Sequence, residues 1–165
     1  MQHPPYSALA VANYFLDLAK AGRTTLDPMK LQKLIYFAHG WHLALYNDPL
    51  INEEIQAWQY GPVVQSVYHE FKEFGAEAIS KIGTEFDLTS GELVTPRIPF
   101  DDARTMALLN KIWEIYGKYS GIQLSHLTHA PQSAWSKVRK GKETFKFVGI
   151  DDEDIKKDFA EKIAK

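Results

Sequence analysis

Cysteine is absent from all 165 residues, and this alone excludes disulfides, thiolate metal sites, CxxC redox exchange and a cysteine nucleophile. No uninterrupted apolar run approaches the roughly 18 residues of a membrane span. The first five residues contain no cationic stretch leading into an apolar one, so a signal peptide is not expected either. An excess of charge is also missing. With 19 Lys and Arg against 21 Asp and Glu, the net charge is −2, and nothing draws the whole molecule to phosphate. Nucleic acid is therefore not the expected partner unless a local basic patch supplies the attraction. Phosphate-cradling GxxxxGK[ST] and GxGxxG loops, a GxSxG nucleophile elbow and an HExxH pair are all lacking. These absences together predict a soluble, cytoplasmic protein that folds without a cofactor.

Aromatic residues, in contrast, are plentiful: 4 Trp, 8 Tyr and 9 Phe must fill a core, an interface or both, and self-association is compatible with such a surplus. The length suits one domain on a prior of about 100–200 residues each. No repeat, low-complexity segment or linker divides the chain. Ser7 is placed to cap a first helix to residue 21, with Gly22 as its stop. Asp27-Pro28 opens a second helix to about residue 45; Leu31, Leu34, Ile35, Ala38, Trp41, His42 and Leu45 form its inner stripe, with Lys30 and Lys33 placed away from it and His39 toward its edge. Ile55 to Tyr60 alternates in strand fashion and Gly61-Pro62 ends it. A helix is predicted over 63–74, β structure over 79–100 with Ser90-Gly91 as a turn, and an edge strand at Arg97-Ile98-Pro99. Asp101-Asp102 caps a further helix reaching about residue 119; short helices follow over 123–128 and around Trp135, and a last one over 151–164. The expected fold is mainly α (α+β), a single compact helical domain over 1–165 with a small antiparallel β insertion near 55–98.

Three arrangements invite a chemical reading. His39 with His42, and His126 with His129, are i,i+3 pairs that could each present two imidazoles to zinc, but no third ligand stands at a diagnostic spacing and no metal site is expected. Ser125 and His129 could be assembled into a hydrolytic pair, yet the serine reads better as a cap or packing residue. The basic run from Lys137 to Lys142, with Lys146 beyond it, follows a helix–break–helix pattern, so a helical DNA-binding regulator is the alternative function; the acidic residues 151–154 directly after it can neutralise that patch. A stronger signal is aromatic. Trp41, Trp58, Tyr60, Tyr68 and Trp135 stand at element ends beside glycine, proline or histidine, where side chains can be presented to a partner.

The blocks MKLQKLIYFAHGWHLAL at 29–45, IQAWQYGPVV at 55–64 with Val67 and Tyr68, LSHLTH at 124–129 with Pro131 and Trp135, and ALAVANYFL at 8–16 together resemble the Panacea domain, the SocA-like antitoxin domain also found among phage-associated proteins. The resemblance covers nearly the whole chain in the family's order. It implies an antitoxin of a two-gene toxin–antitoxin system, often carried on prophages, that neutralises its cognate toxin by direct protein–protein binding with no enzymatic step. His39 stands where the family often has glutamine, and Gln65 replaces a frequent proline. No additional DNA-binding domain is implied, and so neither is autoregulation of an operon. The aromatic corner and the family blocks together place the partner-binding surface at Trp58, Tyr60, Gly61, Pro62, Tyr68 and His69, with His126, Thr128 and His129 beside it.

Overall fold

The computed structural model describes residues 3–140 and 148–163. Its architecture follows from one helix. In α2 (Pro28–Tyr46), every residue from position 31 to position 40 is buried, so the helix has no solvated face over nearly three turns and must be surrounded. Around it pack α1 (Ala8–Ala21), α4 (Ala103–Tyr116), α5 (Gly121–Thr128) and α7 (Asp152–Ile163), with a small sheet covering its remaining side. Ser7, Asp27 and Asp102 cap α1, α2 and α4 through side-chain oxygens that accept from backbone N–H groups of the first turn. The protein is mainly α with a small β part. No helix among the described residues is long and apolar enough to cross a membrane.

The sheet runs in the order β2-β1-β5, with β1 (Ile55–Trp58) antiparallel to both β2 (Gly61–Val64) and β5 (Gly149–Ile150). Here the structure corrects the sequence. Gly61-Pro62 does not stop the β segment but begins its return strand, and the helix predicted from residue 63 begins only at Gln65, as α3 (Gln65–Phe71). Proline is tolerated because β2 is an edge strand. The outer side of that edge is satisfied by a side chain: the Gln32 amide accepts from Val64 N at 2.9 Å and donates to Val64 O at 3.0 Å. A separate hairpin joins β3 (Glu85–Asp87) to β4 (Glu92–Val94) around Ser90-Gly91 as expected, but Arg97-Ile98-Pro99 forms no strand; Ile98 is simply buried against the helices.

Three further expectations fail in α2. Lys33, placed by helical spacing away from the core stripe, and His39, placed toward its edge, are 1% and 0% exposed, whereas Leu45, placed on the stripe, is 51% exposed because it lies in the last turn, past the enclosed span 31–40. His39 is accommodated by partners: its Nε2 meets Asp152 Oδ1 at 2.8 Å and its Nδ1 accepts from Ile51 N. His42 donates from Nδ1 to the Asp48 carbonyl. The two imidazoles are thus engaged with different neighbours, and no group of three or more His, Asp or Glu among the described residues is arranged to hold a metal ion.

α5 matters because it supports the functional corner from below. It begins with a reciprocal capping box: Ser120 Oγ accepts from Gln123 N at 3.1 Å, and Gln123 Oε1 accepts from Ser120 N at 2.8 Å. Ser120→Ala should therefore cost about 1 kcal/mol in urea denaturation, the usual loss for a helix N-cap. An unchanged midpoint would mean that packing alone holds α5 in place.

Candidate functional site

β1 leaves the sheet at Trp58, turns through Gln59-Tyr60 and returns at Gly61, whose φ of +122° is open to glycine and strained for other residues. Three backbone carbonyls along this corner are held by side chains from the α5–α6 region, where α6 spans Ala134–Arg139. Ser125 Oγ donates to Tyr60 O at 2.6 Å, Trp135 Nε1 to Trp58 O at 2.7 Å and Arg139 Nη1 to Ala57 O at 3.4 Å. Such cross-bracing fixes the turn from behind, with Tyr60 exposed on its other side. It also disposes of the hydrolytic pair: Ser125 is buried and committed to the Tyr60 carbonyl, and His129 lies flat on Trp135, ring centroids 3.8 Å apart at 13°.

The outward face is aromatic. Tyr60 is 62% exposed and Tyr68, from α3, is 40% exposed. Trp58 and Tyr68 meet at 4.8 Å between centroids, and the Trp58 indole N–H donates to Gln56 Oε1 at 2.9 Å, which sets the ring's orientation. His69 is exposed beside Tyr68, with ring centroids 5.4 Å apart. Between this face and the first turns of α2 lies a cavity of about 290 Å³; Trp58, Gln59, Tyr60, Val63 and Tyr68 form one wall, and Pro28, Met29, Gln32 and Lys33 the other. No carboxylate among the described residues lines it.

The other sequence-predicted residues are arranged in depth. Pro62 and Gly61 are buried beneath the corner, and Thr128 is buried against Gly61, where an added Cβ would lie within 2.9 Å of Thr128 Oγ1. Thr128 Oγ1 donates to Ser125 O at 2.7 Å. His126 is exposed on α5. His129 Nε2 is buried with no hydrogen-bond partner among the described residues; burial, and secondarily the charge of Lys33, hold its pKa below the ordinary imidazole value. Trp58, Tyr60 and Tyr68 thus come together on one surface, flanked by His69. Gly61, Pro62 and Thr128 form its support, and His129 reaches it only through Trp135.

Lys33 is the residue that sequence reasoning missed. Its side chain runs under Gly61, so that a Cβ there would fall inside it, and its Nζ donates one long bond, 3.3 Å, to Pro62 O. It makes no ion pair among the described residues, and burial pushes its pKa from 10.5 down to about 7, against a smaller upward pull from Asp27. A signal was available. From Leu31 to Leu45 the helix is apolar on nearly every side, and a polar residue in the middle of such a helix has no solvent face to occupy. Of the basic run expected from Lys137 onward, Lys137, Arg139 and Lys140 stand at the end of α6, where Arg139 is turned to the Ala57 carbonyl, while Lys142 and Lys146 lie outside the described residues; the structure adds nothing to a DNA-binding reading.

Comparison with known proteins agrees with the resemblance carried by these blocks. A family model described as antitoxin SocA-like, Panacea domain, matches residues 31–136, which takes in α2 from its second turn, the corner, α5 and the start of α6. The chain is also 34% identical over 143 residues, 87% of its own length and 76% of the relative's, to Antitoxin SocA of Caulobacter vibrioides (strain NA1000 / CB15N). No solved structure matches it. The braced aromatic corner therefore stands inside the segment that defines the family, and this chain belongs to the SocA-like antitoxin, Panacea domain family.

Proposed function

We propose that the protein is an antitoxin that binds and silences a cognate protein toxin by direct contact. The toxin is encoded beside it in a two-gene, often prophage-borne module, and the antitoxin acts in the cytoplasm with no catalytic step and no cofactor. Family membership supports a toxin as partner. The observation that carries the location is the β1–β2 corner: an exposed tyrosine on a turn whose carbonyls are braced from behind by Ser125, Trp135 and Arg139. Rigid aromatic groups presented at low entropic cost are what hot spots are built from. Trp58, Tyr60 and Tyr68 make the contact, with His69 and His126 at its margin. Gly61, Pro62, Thr128 and His129 aim it.

Tyr60→Ala tests this directly. The ring is mostly in solvent, so the melting temperature should hardly move, since surface substitutions usually change stability by about 0.5 kcal/mol or less. Toxin affinity should fall by about 2 kcal/mol, roughly 30-fold, and rescue of cells expressing the neighbouring toxin gene should fail. A variant that retains both its stability and its toxin removes this corner from the interface.

A further inference from the structure

We propose that the cavity beside the β1–β2 corner receives the C-terminal residue of the toxin, an apolar side chain lying against the Trp58 and Tyr68 rings and a free carboxylate against the Lys33 wall. This rests on the reading of the corner as the toxin-binding face and names what the toxin brings to it. The cavity's size is the first argument. About 290 Å³ is at the lower edge of the range for small-ligand pockets, room for one large residue rather than a helix or a strand.

The chemistry of the walls is the second argument. Trp58, Tyr68, Val63 and Met29 present apolar surface, which an apolar side chain would cover. Aromatic rings can also attract a cation, but no carboxylate among the described residues lines this cavity, and a protonated Lys33 in its wall would oppose a second positive charge. An anion meets the opposite situation. Among the described residues Lys33 is buried with a single long hydrogen bond to a carbonyl and no ion-pair partner, an arrangement that is costly for an ammonium group until a carboxylate is supplied. The charges that act on it or on its neighbour His129 are Asp27 at the cap of α2, His126 on α5 and Arg139 at the end of α6; Asp27, the acid among these described groups, already accepts from Lys30 N at 2.9 Å. An internal Asp or Glu would bring a carboxylate with little apolar surface, and an internal Leu or Phe would fill the walls but leave Lys33 unpaired. A chain end with an apolar side chain satisfies both.

The test uses the full chain and a defined probe, acetyl-Gly-Phe with a free carboxylate, compared with its C-terminal amide, each titrated while the indole N–H resonance of Trp58 is followed. At about pH 6 the acid should bind about tenfold more tightly than the amide, and this preference should fade as the pH is raised through about 7 to 9, where Lys33 in the free protein loses its proton. In Lys33→Met acid and amide should bind alike at every pH, whereas Lys111→Met, at an exposed lysine of α4, should keep the preference and its pH dependence. Equal binding of acid and amide to the wild type, no response to either at millimolar concentration, or a preference that survives in Lys33→Met would each overturn the proposal. The wild-type comparison needs no variant to fold. Because no toxin is present, failure here leaves the Tyr60→Ala result standing, and failure of that result leaves this one to be judged separately.

Discussion

Alanine at Gly40 should destabilise the protein by about 3 kcal/mol, the upper part of the usual range for overpacking a core, and should loosen α7 first. A Cβ at this position would lie within 2.6 Å of three atoms of the Phe159 ring. That ring is fully buried and enclosed by Tyr36, Phe37 and Trp41, which meet it edge-on at centroid distances of 5.6, 5.9 and 5.4 Å. Phe37 is in turn stacked on Tyr116 at 4.3 Å, so the enclosure cannot widen without disturbing α4. Helix propensity pulls the other way, since Gly→Ala inside a helix gains up to about 1 kcal/mol. The sign of the result therefore reports whether Phe159 can retreat. Urea denaturation gives the magnitude, and hydrogen exchange should show amides of α7 losing protection ahead of those in α1. Adding Phe159→Leu to Gly40→Ala should recover part of the loss although Phe159→Leu alone is destabilising. A Gly40→Ala protein as stable as the wild type would show that α7 is not held by this close approach.

Gly40 also shows where the sequence stops being readable. The caps Ser7, Asp27 and Asp102, the stop at Gly22 and the turn at Ser90-Gly91 are local chemistry, and each lies in the structure where the sequence places it. Gly61-Pro62 was legible as punctuation but not as the start of a strand, because what permits that strand is the amide of Gln32, a residue 32 positions away from the Val64 it serves. β5 is two residues long and exists only because β1 offers an edge, so no periodicity could announce it. The aromatic corner was visible because aromatic residues at element ends are unusual company for glycine and proline. Its brace was not visible, since Ser125, Trp135 and Arg139 reach it across the fold. Lys33 was misplaced for a related reason: helical spacing sorts residues into faces, but α2 is enclosed on all of them.

The stability of the wild type should rise between pH 7 and pH 9, and Lys33→Met should abolish that rise. Lys33 has an ordinary pKa of 10.5 in the unfolded chain and about 7 in the fold, lowered by burial. Between those values the unfolded state holds the extra proton, so raising the pH favours folding, by about 1.4 kcal/mol per pH unit where the difference is complete. Below pH 7 the full penalty of burying the ammonium is present, up to about 5 kcal/mol if the whole shift is expressed. The window is otherwise quiet. His42 and His129 are also lowered by burial, but their contribution is complete once the pH passes the ordinary histidine value of 6.5. Tyr6, Tyr36 and Tyr116 are raised by burial, and the stability they confer is lost only above 10.0. Lys30 is lowered in the same direction by burial but is only partly enclosed, and its contribution is the smaller one. Methionine keeps the length of the buried stem and removes the charge, so Lys33→Met should be the more stable protein at pH 7 and its stability nearly level to pH 9. Urea denaturation of both proteins across this range decides the matter. A wild type whose stability is level, or a methionine variant weaker than wild type at pH 7, would show that the fold stabilises the Lys33 ammonium. A more stable variant that has lost its preference for a carboxylate would instead identify Lys33 as a charge kept at the expense of stability for the partner it meets.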